Sequence, residues 1–271
     1  MTTWFAILLG VVQGATEFLP ISSTAHLRIA PAILGLADPG AAFTAVIQLG
    51  TLAAVILYFR RDLVAMFRAV VSDRRSRHGR LALFIVAGTV PIGVAGIALK
   101  HVVTGEARSL HVVATALILV AVVMWIADRG GRQERGLDSL RLADALLIGV
   151  AQACALVPGV SRSGSTLAAA LFLGLRRDDA ARFSFLLSIP AIGAAGVFEL
   201  PFAVRELSAQ GGSLMPLLLA TIVSGVAGYV SIAWLLRFLR TRSLGVFVVY
   251  RVLLGMILFG LVLGGVVSAS D

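Results

Sequence analysis

Two short runs set polar and ionisable side chains into otherwise apolar sequence. The first reads Gln13-Gly-Ala-Thr-Glu17-Phe-Leu-Pro20-Ile-Ser22-Ser23-Thr-Ala-His26. Four-residue spacing places Gln13 and Glu17 on one face of a helix, and Pro20 closes that helix. Ser22 or Ser23 then caps a second helix, with His26 one turn further along. An acid, a hydroxyl and an imidazole that converge in this way are the parts of nucleophilic or general-base chemistry. The second run reads Pro158-Gly-Val-Ser161-Arg162-Ser163-Gly-Ser-Thr166. It is again a helix start rich in hydroxyls, now with a fixed cation. The first N–H groups of a helix lack partners and the dipole is positive there, so such an end attracts anions. Arg162 adds a planar fork of donors that fits phosphate oxygens and holds charge as it builds in a transition state. Two such ends facing each other suit a diphosphate.

The elements that carry these runs belong in lipid. Of 271 residues, 59% are hydrophobic and 14% charged, and the mean hydropathy is +0.97, far from the mix of a soluble domain. Six apolar stretches are long enough to cross a bilayer, residues 43–59, 81–99, 110–127, 183–200, 214–236 and 244–266. The segments 4–36 and 142–175, which hold the two polar runs, are each broken midway and read as re-entrant hairpins of half-length helices. The expected fold is therefore an all-α polytopic membrane protein with about six transmembrane helices and two re-entrant helical hairpins.

Charge gives the orientation. The net charge is +9, and Lys100 is the only lysine. Arg60, Arg61, Arg68, Arg74, Arg75, Arg77 and Arg80 crowd the loop after the first span, which places that loop in the cytoplasm. Counting crossings puts the loops at 129–141, 176–182 and 237–242 on the same side, and those at 100–109 and 201–213 outside. The first hairpin then enters from outside and the second from the cytoplasm. An internal repeat agrees with this. Gly10-Val-Val-Gln13 recurs as Gly149-Val-Ala-Gln152, Leu34-Gly-Leu36 as Leu173-Gly-Leu175, and residues 43–54 answer 183–194 at an offset of 140. The chain reads as one membrane domain, 1–271, built as an inverted-topology repeat with copies at about 1–127 and 142–267. The basic excess sits in short connections rather than in an aromatic-bearing groove, which argues against nucleic acid. Cys154 has no partner for a disulfide and reads as a packed core thiol. The first apolar segment carries Glu17 and lacks a basic leader, so a cleaved signal peptide is not expected.

Each residue also has a plainer reading. A carboxylate such as Glu17 costs ~2.5–3.5 kcal/mol at depth on insertion scales, which favours a function for it. Ser22 and Ser23 alone are equally well read as caps, and His26 nearby tilts them toward chemistry. Arg251, inside the last span after Tyr250, pairs or snorkels, with a role in the site as the alternative. Gln48 reads as a packing residue, as do the small residues Ala220, Ser224 and Gly228. His78, His101 and His111 show no ligand spacing.

Taken together, Gln13-xxx-Glu17, the run Glu17 to His26, and Pro158-Gly-Val-Ser-Arg-Ser-Gly-Ser-Thr166 resemble the undecaprenyl diphosphate phosphatases of the bacitracin-resistance family. The resemblance covers essentially the whole chain. It implies hydrolysis of undecaprenyl diphosphate to undecaprenyl phosphate plus inorganic phosphate, which recycles the lipid carrier for peptidoglycan and confers bacitracin resistance. It also implies a divalent cation, Mg²⁺ or Ca²⁺, and a bacterial inner (plasma) membrane location. The orientation of the first hairpin opens the site to the periplasmic face, while the second hairpin opens inward. The residues the resemblance singles out as catalytic are Glu17, Ser23, His26 and Arg162. Gln13, Ser22, Ser161, Ser163 and Thr166 are the substrate-binding set, and Glu17 is the metal ligand. The family's first motif position holds Glu or Gln, and Gln13 here weakens any scheme that needs two carboxylates for metal. Ser23, His26 and a metal-activated water all remain open as nucleophile. The expected partners are the polyprenyl diphosphate and membrane lipids, with a homodimer left open. The competing reading is a secondary transporter or lipid-carrier flippase on the same inverted scaffold. A second competitor, the acid-phosphatase-like lipid phosphatases, requires a histidine after the Ser-Arg pair, and none follows Arg162.

Overall fold

The computed structural model describes residues 2–98, 109–209 and 214–265. The described residues form eleven α-helices and no β-strand. They are α1 (Thr3–Glu17), α2 (Ser23–Leu34), α3 (Gly40–Tyr58), α4 (Arg60–Ser72), α5 (Arg77–Ala98), α6 (Leu110–Gly130), α7 (Leu142–Cys154), α8 (Arg162–Phe172), α9 (Arg177–Ala209), α10 (Met215–Leu239) and α11 (Gly245–Leu263). A 3₁₀ turn at Leu137–Ser139 and an isolated bridge between Arg135 and Leu175 close the connection after α6.

Five helices, α5, α6, α9, α10 and α11, are long and apolar enough to cross a membrane, and α3 with α4 makes a sixth candidate bent by 73°. Their outward faces carry Val90, Val94, Ile97, Val226, Val230, Val249 and Leu253 in exposed positions, as expected where lipid is the solvent. The protein is an all-α polytopic membrane protein. Both broken segments fold as expected from their prolines and hydroxyls: α1 and α2 pack on each other across the break at 18–22, and α7 and α8 do so across 155–161.

Small residues let these short helices seat against long ones. Gly10 and Gly14 on α1 press on the backbone of Ala220 and Ser224 of α10, so that a Cβ at either would collide. In the second half Gly149 of α7 meets the backbone of Gly88 in α5 in the same way. The two glycines of the Gly-Val-x-Gln repeat thus do the same work on different partners. α3 lies between α9 and α10, and α6 packs on α11.

Five expectations need correction, four of them about the connections. The arginine-rich segment after the first span is not a loop but the amphipathic helix α4, with Met66 buried and Phe67 and Val71 exposed among its arginines. Arginine content speaks to membrane side and not to conformation, and these residues are good helix formers with Asp62 in the first turn. The segment 176–182 is likewise the start of α9, where Asp178 and Asp179 occupy the positive first turn. α9 does not stop at residue 200 but runs on through Pro201 to Ala209, because one missing N–H bends a helix more readily than it ends one flanked by helix-compatible residues. Its 33 residues span about 50 Å, well beyond a hydrocarbon core. α10, in turn, extends through Arg237 to Leu239. Cys154, finally, is exposed at the end of α7 rather than packed in the core. Leu99, the expected outer loop from Lys100 with His101, residues 210–213 of the other outer loop and Val266 lie outside the described residues.

The arginine-rich end is tied together by ion pairs, Arg182 with Asp62 at 2.6 Å, Arg177 with Asp128 at 2.6 Å and Arg135 with Asp144 at 2.6 Å. Asp128 also accepts from the Leu244 N–H at 2.9 Å, which joins α6, α9 and the start of α11. Three buried apolar clusters fill the interior, the largest running from Phe18 and Phe59 through Phe183, Phe185 and Phe247.

Candidate active site

The site begins with two peptide kinks. Ser22 has φ 73° and Ser161 φ 71°, and these are two of the three non-glycine residues with positive φ among the described residues. Each is the N-cap of the helix that follows: the Ser22 hydroxyl accepts from the Ala25 N–H at 3.4 Å, and that of Ser161 from the Gly164 N–H at 3.1 Å. Backbone held in this region costs about 1–3 kcal/mol per residue, a strain that clusters where function needs a fixed geometry. The kinks deliver Ser23 and Arg162 as the first residues of α2 and α8.

Glu17 gathers them. Its Oε2 accepts from Gln13 Nε2 at 2.7 Å and from the Ser23 hydroxyl at 2.7 Å, while Oε1 accepts from Arg162 Nη2 at 2.7 Å. The ion pair is buried, with side-chain exposures of 5% for Glu17 and 14% for Arg162, and it joins two hairpins 145 residues apart in sequence. Arg162 also reaches the Ser188 carbonyl at 3.4 Å, and Ser163 donates to the Leu19 carbonyl at 2.9 Å, a second tie between the hairpins. A cavity of about 250 Å³ opens here. Glu17, Ser22, Ser23, Gln48, Ser161 and Arg162 supply its polar wall, and Ile92, Leu156, Val157 and Ile192 an apolar one.

The structure therefore brings Gln13, Glu17, Ser22, Ser23, Ser161, Ser163 and Arg162 together. Two expected members stand apart. Thr166 turns its hydroxyl back to the Arg162 carbonyl at 2.7 Å and meets Ser184 at 2.6 Å, so it braces α8 against α9. His26 has both ring nitrogens engaged away from Ser23: Nδ1 lies 2.7 Å from the Ser22 carbonyl and Nε2 2.6 Å from the Tyr250 hydroxyl. A carbonyl only accepts, so Nδ1 carries the proton and, in the neutral ring, Nε2 accepts from Tyr250. The hydroxyl of Ser23 finds its partner in Glu17 instead. Gln48, expected to serve packing, lines the cavity. Tyr250, which no spacing rule reaches, and Arg251, whose role the sequence leaves undecided, both contact the hairpins from α11.

The donor set suits a hard cation. Gln13 turns its Nε2 to the Glu17 carboxylate and leaves its Oε1 buried without a hydrogen-bond partner, so one helix carries two oxygen donors of different kinds. Among the described residues no group of three or more His, Cys, Asp or Glu side chains gathers as a metal cluster. Such a site fits Mg²⁺ or Ca²⁺ completed by water and phosphate oxygens, and it lacks the nitrogen and sulfur ligands that zinc prefers.

Comparison with known proteins decides the family. The model of the bacitracin resistance protein BacA family matches residues 6–257. The chain belongs to the BacA family. Among its relatives is an undecaprenyl-diphosphatase of Myxococcus xanthus, 52% identical over 97% of this chain and 90% of the relative. Another, from Gloeobacter violaceus, is 51% identical over 96% of this chain and 92% of its own length. Undecaprenyl-diphosphatase 2 of Streptomyces coelicolor is 46% identical over 98% and 97% respectively. The BacA match thus takes in both hairpins and every residue of the candidate site.

Proposed function

We propose that this protein hydrolyses undecaprenyl diphosphate to undecaprenyl phosphate and inorganic phosphate. One observation carries the reading: a single carboxylate, Glu17, holds the Ser23 hydroxyl and the Arg162 guanidinium at once, each at 2.7 Å. Nucleophile, base and anion clamp then share one cavity wall, more than simple binding of a substrate requires.

The chemistry follows from those contacts. The Ser23 oxygen attacks the terminal phosphorus as its proton passes to Glu17 Oε2. The bond from that phosphorus to the bridging oxygen breaks, and the lipid monophosphate leaves with the electron pair. Arg162 transfers its donors from Glu17 to the equatorial oxygens, where charge accumulates, and the N-termini of α2 and α8 face the same oxygens. Water then cleaves the phosphoseryl ester, releasing inorganic phosphate and restoring the hydroxyl. Ser23 is favoured over His26 as nucleophile because both imidazole nitrogens are already bonded elsewhere. A divalent cation held by Glu17 and the Gln13 carbonyl would neutralise diphosphate charge.

The reading extends to the frame. The two hairpins are equivalent parts of copies with opposite orientation, meeting near the middle of the bacterial inner membrane, with the site reached from the periplasmic side. The test is phosphate release from undecaprenyl diphosphate by the purified protein in detergent, with and without EDTA. Release without any membrane gradient, abolished in Glu17→Ala, is the expected result. No release from well-folded protein defeats hydrolysis and leaves the transporter reading.

A further inference from the structure

The geometry points to Tyr250 and Arg251 of α11 as positioning residues for this reaction, the pair that sets the shape of both hairpin elbows from behind. Arg251 is completely buried. Its guanidinium is bonded to five main-chain carbonyls. Nε donates to Leu117 at 3.1 Å and Nη1 to Pro20 at 3.2 Å. Nη2 is shared among Ala116 at 3.3 Å, Gly159 at 2.9 Å and Val160 at 3.1 Å. An arginine buried at depth is costly, and carboxylates are its usual compensation. Here backbone does that work, with three of the five carbonyls drawn from the two kinks and two from α6.

The three kink acceptors sit just before the strained serines. Pro20 lies two residues ahead of Ser22, and Gly159 and Val160 directly precede Ser161. One planar fork therefore spans both elbows and fixes their separation, which a point charge on a flexible stem cannot do. It also aims a donor. In a trans peptide the C=O and the following N–H point in opposite directions, so a Val160 carbonyl turned onto Arg251 turns the Ser161 N–H away from it. Ser161 is one of the residues that line the cavity. Tyr250 completes the support. Its hydroxyl meets His26 Nε2 at 2.6 Å, the rings lie parallel within 6°, and the other imidazole nitrogen holds the Ser22 carbonyl. The first elbow is thus held by Tyr250 through His26 and by Arg251 directly, and the second by Arg251 alone.

The inference rests on the hydrolytic reading. The experiment compares kcat and KM for undecaprenyl diphosphate, per molecule of monodisperse detergent-purified protein, in wild type, Arg251→Lys, Tyr250→Phe, His26→Ala and the His26→Ala/Tyr250→Phe double variant. Arg251→Lys keeps a cation and loses the bridge, and it is expected to lower kcat about 100-fold with KM changed less than about threefold, because misplacing reacting groups by ~1 Å has that effect. Tyr250→Phe removes one oxygen from a half-exposed side chain. It is expected to lower kcat about tenfold, and to add nothing once His26 is alanine. The inference is overturned if Arg251→Lys retains kcat within about twofold, or if Tyr250→Phe and His26→Ala combine additively. Should Arg251→Lys not fold, the Tyr250→Phe cycle decides alone. An inactive wild type counts against the hydrolytic reading, whereas an active wild type with equally active variants counts only against the positioning pair.

Discussion

The two elbows share a backbone and divide the chemistry. Each ends a short helix that a glycine seats against a longer partner, each turns through a serine with φ near 70°, and each opens a new helix whose cap is that serine's hydroxyl. At the next position the first elbow places Ser23 and the second Arg162. Seventeen in the first copy is an acid, whereas the matching position of the second, Leu156, is apolar. One half therefore contributes a carboxylate and a hydroxyl, the other a guanidinium, and the three meet only when both halves are present. The repeated elbow supplies two helix ends that attract anions, while the side chains at matching positions differ.

That division can be broken by single substitutions. The largest effect belongs to the carboxylate that both elbows share: Glu17→Ala strands Ser23 and Arg162 together and should lower turnover by about 10³-fold or more, read as phosphate release per folded molecule. Arg162→Lys keeps charge but loses the planar fork, and a drop of about 100-fold is expected in the same assay. Gly149→Val drives a branched side chain into the backbone of Gly88 and should destabilise the second hairpin by about 1–3 kcal/mol, seen as a lower thermal unfolding midpoint in detergent. Ser163→Ala removes the tie to Leu19, and about 1 kcal/mol is the expected loss by the same measurement. Thr166→Val should change kcat by less than about twofold, because its hydroxyl serves α8 and Ser184 rather than the cavity. A loss as large as that of Arg162→Lys would return Thr166 to the reacting groups.

What the sequence made legible is what short spacing encodes. Gln13 and Glu17 four apart, a proline and a serine after them, and a glycine-rich serine run in the second half were enough to place two helix breaks and most of the polar wall. Conformation in charged segments was harder to read, since α4 and the first turn of α9 are rich in arginine, which reads as a connection, and are helical nonetheless. The direction of His26 was not legible either. One turn past Ser23 is compatible with facing the hydroxyl or facing a neighbour, and the neighbour that decides it, Tyr250, is 224 residues away. Arg251 left one trace, a lone cation in an apolar span, but only the fold shows that its partners are carbonyls of both elbows.

The distance along the chain between Glu17 and Arg162 also bears on how the protein is born. At synthesis rates of about 5–20 residues per second, the intervening 145 residues take roughly 7 to 30 s to emerge. Through that interval the nascent first half has its acid but not its countercharge, with only Gln13 and Ser23 of the observed partners already made. Arrival of the second hairpin then supplies the countercharge, so this ion pair also marks the moment when the two hairpins have found one another.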